Sequence, residues 1–216
     1  MIQLPETSDD FRQIARLHKE GLGHLEYYLS NSSIDFIQFF YETVSKFDST
    51  VILVYKNRNG VILGFIFSSG DKNKYLNRFY KENVIKILMH VSSYIPTIRA
   101  VFRRLRREKN IDYDQELLYM AVHPEHRSKG IGTLLLVEVQ NKLAEKYDKC
   151  FLQVHARNKK AHALYQSLGF TDKHRYHIGH IEKIVMWKKL SRHSKINPKS
   201  AIDIPLGKSL RSKYLK

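Results

Sequence analysis

A glycine loop in the middle of the chain has the residue types and the position to hold an anion. Residues 127–133 read Arg-Ser-Lys-Gly-Ile-Gly-Thr and follow an apolar run at 117–122 that predicts a buried strand. Apolar residues then recur at helical spacing over 134–143, so the loop opens onto a helix N-terminus, where free N–H groups and the helix dipole favour anions. Gly130 and Gly132 remove side chains that would block this backbone, so we predict a diphosphate site.

The glycine spacing excludes two common phosphate loops. No Gly-Lys-Ser/Thr follows a first glycine at the spacing of a Walker loop. A dinucleotide fingerprint needs a glycine where Arg127 stands and an acidic residue ending a strand about 20 residues later, and both are missing. Taken alone, the loop is also compatible with a turn that has only a structural role.

A second motif, which begins 26 residues after Gly132, makes the ligand more specific. Residues 151–158 predict another buried strand, and 159–168 predict a short helix that ends at a glycine. The motif reads Asn158-x-x-Ala161-x-x-x-Tyr165-x-x-x-Gly169-Phe170. Together with the Arg-x-x-Gly-x-Gly loop, it resembles the GNAT superfamily of acyl-CoA-dependent N-acyltransferases, over roughly residues 1–190 and most strongly over 116–170.

The resemblance implies an α/β fold with a mixed, mostly antiparallel central sheet, flanked by helices and split at the central strand. The remaining patterns fit this fold. They predict helices near 9–22 and 34–47, strands at 51–55, 61–67, 173–178 and 182–189, and a hairpin turn at 57–60. We expect one domain over 1–190 with a helical, basic insertion at about 70–112 before the central strand, and a basic tail at 191–216.

The resemblance also implies that acetyl-CoA is the acyl donor and that the loop holds its pyrophosphate. The end of the central strand would bond the pantetheine arm and aim one amide at the thioester carbonyl, where it would stabilise an oxyanion. Asn158 would bond the pantetheine, and it also suits a helix N-cap; the two roles are compatible. The candidate acetyl-CoA-binding residues are Met120, Ala121, Val122, Arg127, Ser128, Lys129, Gly130, Ile131, Gly132, Thr133 and Asn158.

Tyr165 is the candidate acid of the reaction. It lies seven residues after Asn158, two helical turns away on the same face. The resemblance implies that its hydroxyl protonates the departing thiolate. The alternative is an aromatic side chain that packs in the core and has a satisfied hydroxyl.

Glu116 is the candidate general base, because it begins the central strand where several members of the superfamily carry a catalytic glutamate. Even alternation places it on the same face as Leu118, Met120 and Val122, unless a bulge shifts the register. His123 and Tyr119 are weaker candidates for the same role.

The net charge of +16 is concentrated in two segments. Residues 71–109 hold 11 Lys/Arg and 3 Asp/Glu, and residues 192–216 hold 7 and 1, which leaves +2 for the rest of the chain. The charge is therefore an addition to the acyl-CoA site. Contacts through 98–109 and 192–216 to a nucleic acid, an anionic membrane or an acidic small substrate would explain it, as would a solvated helix face.

Composition limits the remaining possibilities. A single cysteine, Cys150, excludes intrachain disulfides and a cysteine-based zinc cluster, and we expect no metal. No apolar run reaches 18 residues and the N-terminus does not resemble a signal peptide, so the expected location is the cytoplasm.

The sequence thus predicts an N-acetyltransferase that moves an acetyl group from acetyl-CoA to a primary amine, by direct attack in a ternary complex. An amino sugar or nucleotide-linked sugar is the first hypothesis for the acceptor, since aromatic and basic walls suit a hydroxylated, anionic ligand. The competing hypothesis is a non-catalytic or protein-directed acyl-CoA-binding module, recruited to RNA, a ribosome or a membrane by its basic segments. The intact motif residues argue against a degenerate site.

Overall fold

The computed structural model describes residues 1–22, 29–70, 78–79, 81–83 and 115–191. In these ranges, seven strands form one sheet in the order β1-β2-β3-β4-β5-β7-β6. The strands are β1 (Ile2–Gln3), β2 (Thr50–Lys56), β3 (Ile62–Ser69), β4 (Glu116–Val122), β5 (Lys149–His155), β6 (Thr171–Ile178) and β7 (Ile181–Lys189). The α-helices are α1 (Ser8–Leu22), α2 (Ile34–Val44), α3 (Ile131–Leu143) and α4 (Lys159–Ser167).

The sheet is split at its centre. Neighbouring strands run antiparallel except β4 and β5, which are parallel and pair only through Glu116–Phe151 and Leu117–Leu152. Beyond Leu117, β4 therefore turns away from β5 and a cleft opens between them. This confirms the predicted mixed, mostly antiparallel sheet that is flanked by helices. The patterns do not predict β1, which has only two residues.

Helices cover the two faces of the sheet in separate layers. On one face, α1 and α2 pack on β2–β4; on the other, α3 and α4 pack on the sheet in a second core. The first core contains Ile14, Phe40, Tyr41, Phe65, Phe67 and Ala121. The second contains Ile66, Leu135, Val139, Leu152, Phe170 and Met186.

The start of α1 is fixed to β2 by one carboxylate. Asp10 accepts hydrogen bonds from the backbone N–H groups of Glu6 and Thr7, at 2.9 and 3.2 Å, and its Oδ1 lies 2.6 Å from Lys56 Nζ. Burial alone would raise the pKa of Asp10, but the bonds from Glu6, Lys56 and Thr7 together lower it. The charged carboxylate therefore caps α1 and pairs with β2 at the same time.

Two glycines bring helices unusually close to the sheet. A Cβ on Gly21 of α1 would lie 2.8 Å from the Cβ of Ala121, so α1 contacts β4 almost backbone to backbone. A Cβ on Gly64 of β3 would lie 3.0 Å from Ile131 Cγ2 and 3.1 Å from Leu135 Cδ1. The first turn of α3 is thereby held tightly against β3.

The predicted basic insertion and tail lie mostly outside the described residues, as do the predictions for 98–109 and 192–216. Arg78 and Phe79 belong to a helical segment of the insertion. The Phe79 side chain is 1% exposed, and its ring lies edge-to-face on Phe40, with 5.2 Å between centroids. This contact fixes the described part of the insertion to α2.

Within the same described ranges, no helix is both long enough and apolar enough to cross a lipid bilayer.

Candidate active site

The glycine loop forms a cradle at the N-terminus of α3. A short 3-10 turn, Pro124–His126, leads from β4 into the loop, and Gly130 is the N-cap of the helix with a φ of 81°. Glycine adopts this left-handed conformation without a Cβ penalty. No described side chain caps the helix at this position, so the N–H groups of its first turn are not taken up by a capping side chain.

Arg127 fixes the loop to the end of β4. Its Nε donates a hydrogen bond to the carbonyl oxygen of Val122, at 3.1 Å. The next two residues, Ser128 and Lys129, are exposed, and Ser128 has a φ of 61°, which is uncommon for a residue other than glycine. The Arg127 side chain therefore makes a hydrogen bond that shapes the loop, whereas Ser128 and Lys129 border the cradle.

Gly132 marks the place where three elements meet. A Cβ there would lie 3.8 Å from Leu164 Cδ2, 3.8 Å from Val122 Cγ2 and 3.9 Å from Met120 Cε. The first turn of α3, the end of β4 and the middle of α4 thus meet at Gly132. Sequence reasoning missed Leu164, because its apolar character marks it only as a core residue of α4.

Asn158 and Tyr165 lie on the helix that forms the other wall of the cleft. Asn158 caps α4: its Oδ1 accepts the backbone N–H of Ala161 at 3.1 Å. Tyr165 is half-buried on the same helix, and its ring lies edge-to-face on Phe170 with 6.1 Å between centroids. The N-cap interpretation of Asn158 is therefore confirmed, and its contact with pantetheine stays a prediction.

A lysine of β7 holds the other end of α4. Lys188 Nζ donates to the backbone oxygen of Leu168 at 2.6 Å and to Gln140 Oε1 of α3 at 2.5 Å. Burial lowers the pKa of Lys188. Lys188 thus joins the C-terminal end of α4 to Gln140 of α3, which fixes the helix of Tyr165 relative to α3.

A β-bulge changes the faces of the central strand. β3 pairs Phe67 with Tyr119 and Ser68 with Leu117, so Leu118 is an extra residue on β4. As a result, Leu118 and its neighbour Tyr119 both pack against the core beneath α1 and α2. A bulge of this kind inverts the alternation of every residue that follows it.

The bulge separates Glu116 from the residues that were expected to share its face. Leu117, Met120 and Val122 pack with the α3–α4 core, and Glu116 alternates with Leu117. Glu116 therefore lies on the α1–α2 face of the sheet. The prediction of a shared face with Met120 and Val122 is wrong, whereas the prediction for Leu118 holds.

The Glu116 side chain is 4% exposed and lies where β4 and β5 begin to separate. Its Oε1 accepts a hydrogen bond from Gln153 Nε2 of β5, at 2.8 Å, and Gln153 Oε1 accepts a hydrogen bond from the hydroxyl of Tyr176. The carboxylate and the cradle thus lie on opposite faces of the sheet, with the split between them. A thioester that crossed the split could be reached by an amine from the carboxylate side.

A buried histidine lies beneath the candidate site. His18 of α1 is 0% exposed; its Nδ1 lies 2.7 Å from Tyr41 Oη and its Nε2 lies 2.9 Å from Ser30 Oγ. Its ring lies edge-to-face on Tyr119 of β4, with 4.8 Å between centroids. Burial lowers the pKa of His18 from 6.5 to about 3, so the ring is neutral at physiological pH. Its role is therefore to connect α1, α2 and β4.

This pKa predicts how stability depends on pH. Because the folded pKa lies below the unfolded one, the unfolded chain takes up the proton first, and stability falls as pH drops from 6.5 towards 3. Acidification from about pH 7 to pH 5 should lower the unfolding free energy by about 2 kcal/mol through His18. In denaturant titrations, His18→Gln should be less stable near neutral pH but should lose less on acidification. The exposed His180→Gln should show the wild-type dependence of unfolding free energy on pH. The same dependence in His18→Gln would contradict the prediction.

His123, Glu125 and His126 form a second cluster of polar side chains, on the 3-10 turn. One potential ligand atom from each lies within 4.8 Å of the others, and the Nδ1 atoms of both histidines are buried without a described hydrogen-bond partner. The two rings pack edge-to-face with 5.5 Å between centroids, which accounts for their proximity without an ion, and Glu125 is exposed. No step is therefore assigned to a metal here, and the expectation of no metal stays a prediction.

Comparisons with known proteins bear on the family and the fold of the chain. Residues 100–172 match the family model described as acetyltransferase (GNAT) domain. Among curated proteins, none matches the chain significantly.

Several solved structures share the fold at low identity. The ribosomal-protein-S18-alanine N-acetyltransferase from Escherichia coli is 16% identical, with a TM-score of 0.56, covering 88% of this chain and 94% of its own. A GNAT superfamily phosphinothricin acetyltransferase from Sinorhizobium meliloti, in complex with AcCoA, is 16% identical with a TM-score of 0.59, covering 92% of each chain. Spermidine/spermine N-acetyltransferase from Vibrio cholerae is 15% identical with a TM-score of 0.54, covering 88% and 91%.

The match over 100–172 covers about a third of the chain and supports the resemblance to the GNAT superfamily there, and the solved structures share the fold. The matched segment contains β4, the cradle, β5 and α4, which are the elements that surround the cleft.

Proposed function

We propose that this chain is an N-acetyltransferase that moves an acetyl group from acetyl-CoA to a primary amine by direct attack in a ternary complex. The observation that carries the proposal is the split between β4 and β5, with an anion cradle on one face and a buried carboxylate on the other. The cradle would hold the pyrophosphate through residues 127–133. The end of β4, with Met120, Ala121 and Val122, and the N-cap Asn158 would hold the pantetheine.

The proposed steps use the two candidate catalytic residues. Glu116 takes a proton from the ammonium form of the amine, directly or through water, and the freed lone pair of the nitrogen then attacks the thioester carbonyl carbon. A backbone N–H of β4 stabilises the oxyanion. When the carbon–sulfur bond breaks, the electron pair goes to sulfur, and the Tyr165 hydroxyl gives its proton to the thiolate. The nitrogen loses its remaining excess proton to water as the amide forms, and the tyrosinate takes up a proton from water.

The state of the single cysteine supports direct attack over an acyl-enzyme. Cys150 is 0% exposed, and burial raises the pKa of its thiol to about 12. The thiolate is the nucleophilic form of cysteine, and this thiol does not form it at physiological pH. The only thiol of the sequence is therefore unsuited to carry an acetyl group.

Release of free thiol from acetyl-CoA in the presence of single amines tests the proposal. The panel should contain amino sugars and nucleotide-linked amino sugars, which are our first hypothesis, together with spermidine, phosphinothricin and a peptide with an N-terminal alanine. The last three follow from what the structural neighbours are named for. Amine-dependent thiol release supports the proposal. Tight acetyl-CoA binding without release for any amine would favour the alternative of a non-catalytic module.

The cradle assignment makes a separate prediction. Gly130→Val should weaken acetyl-CoA binding by about 10- to 100-fold, because the Cβ branch and the left-handed φ of 81° displace N–H groups that bond a charged pyrophosphate. Calorimetric titration measures this change directly. Gly60→Val is the matched control: its φ is 80°, but it lies in the β2–β3 hairpin with nothing within 4 Å of a Cβ. Equal affinity in Gly130→Val and wild type would contradict the assignment.

A further inference from the structure

The bond between Gln153 and Glu116 crosses the point where the sheet splits. β4 and β5 pair through Glu116–Phe151 and Leu117–Leu152, and Gln153 lies two residues beyond Phe151, where the strands have begun to separate. Gln153 Nε2 spans this opening to reach Glu116 Oε1 at 2.8 Å. The direction of the candidate base therefore depends on an amide that belongs to the other half of the sheet.

Tyr176 reaches the same amide from two strands away. It lies on β6, which pairs with β7 and not with β5, and its half-buried side chain packs against Phe151 and Val185. Val185 of β7 is 0% exposed and pairs directly with Gln153. The tyrosine side chain thus extends from β6 past Val185 of β7, and its hydroxyl donates a hydrogen bond to Gln153 Oε1.

The two bonds together fix which way the amide faces. A glutamine amide has a donor end and an acceptor end that can exchange by a rotation. If the amide were rotated, its oxygen would face the oxygen of Glu116, and two acceptors would repel unless the carboxyl group were protonated. A hydroxyl that donates to Gln153 Oε1 keeps the donor end of the amide on Glu116 Oε1.

We propose that Tyr176 and Gln153 are positioning residues of this enzyme: the Tyr176 hydroxyl locks the Gln153 amide, and the amide holds Glu116 as an oriented carboxylate ready to accept the proton of the amine. The inference rests on the proposed function, because it needs Glu116 as the base. It goes further by making the C-terminal half of the sheet part of the acid–base apparatus. Neither residue is required to touch the substrate.

A double-mutant cycle tests this relay of two hydrogen bonds, which runs from the Tyr176 hydroxyl through the Gln153 amide to Glu116. Tyr176→Phe and Gln153→Met should each lower kcat about tenfold, with an unchanged KM for acetyl-CoA, because each removes a hydrogen bond that acts on a charged group. In a Glu116→Gln background neither change should lower kcat further. Tyr147→Phe, at a half-buried tyrosine on the α3–α4 side, should behave like wild type. Losses that add to that of Glu116→Gln, or that appear in the KM for acetyl-CoA, would overturn the relay.

A second measurement needs no acceptor, so the relay and the proposed function can fail separately. In NMR spectra, the side-chain amide protons of Gln153, assigned by their loss in Gln153→Met, should exchange slowly with solvent. Both Tyr176→Phe and Glu116→Gln should speed their exchange without moving the backbone signals of α3. The exposed side chain of Gln166 gives the reference rate. Exchange of Gln153 at that reference rate in the wild type would overturn the relay, whatever the activity of the protein.

Discussion

Glu116→Gln is expected to slow acetyl transfer at neutral pH by about a hundredfold or more, the usual effect of losing a general base. The rate should recover at alkaline pH, where more of the amine is already unprotonated. Binding of acetyl-CoA should stay unchanged, because the carboxylate lies on the opposite face of the sheet from the cradle. Steady-state kinetics over a pH series, together with calorimetry, measure both effects.

Glu145→Gln serves as the control, since this exposed carboxylate lies just beyond the end of α3, far from its N-terminal cradle. A neutral-pH rate in Glu116→Gln that equals the rate of this control would show that another group, or bulk water, takes the proton. The oxyanion amide and the alignment of the two substrates would then account for the catalysis.

Tyr165→Phe should lower turnover by about a hundredfold, because the leaving thiolate loses its proton donor while the ring keeps its place against Phe170. The affinity for acetyl-CoA should change little, since the hydroxyl acts mainly as the carbon–sulfur bond breaks. Single-turnover measurements would place the loss in the chemical step. An equal loss of affinity and turnover would instead indicate that the hydroxyl binds the coenzyme in the ground state.

The elements that surround the cleft could be predicted because their signals are local, whereas the split of the sheet was implied by the resemblance to the GNAT superfamily. Two local patterns predict the backbone conformation here: a glycine loop after an apolar run, and an asparagine before a short helix. Both conformations depend on near neighbours in the chain. The prediction of β4 at 117–122 differs from the observed Glu116–Val122 by one residue. The same holds for α4, predicted at 159–168 and observed at Lys159–Ser167.

The bulge at Leu118 could not be predicted, because its neighbours give no alternation to read. Leu117, Leu118, Tyr119 and Met120 are all suited to a buried strand, so an extra residue leaves the pattern unchanged. The register is decided by pairing with β3, where Phe67 lies opposite Tyr119. Only the tertiary structure therefore shows which face Glu116 occupies.

Partners of buried polar groups escaped prediction for the same reason. Gln153 and Tyr176 are 37 and 60 residues away from Glu116 in the chain, and nothing in their local sequence links them. His18 lies beside the apolar stripe of α1, but a histidine at such a place is equally typical of a solvated helix face. Its burial depends on Ser30 and Tyr41, which approach it only after α1 and α2 have packed.

The short backbone pairing between β4 and β5 affects how the sequence of such a protein can change in evolution. In the part of the chain that the structure describes, the backbones of β4 and β5 are in register at only two positions, Glu116–Phe151 and Leu117–Leu152. Substitutions that reshape β6 and β7 therefore transmit little strain through the backbone to Gly130 and its helix. Under the proposed function, the cradle can stay constant while β6 and β7 change. The solved structures that share this fold are only 15–16% identical to this chain and are named for a ribosomal protein, phosphinothricin and spermidine/spermine.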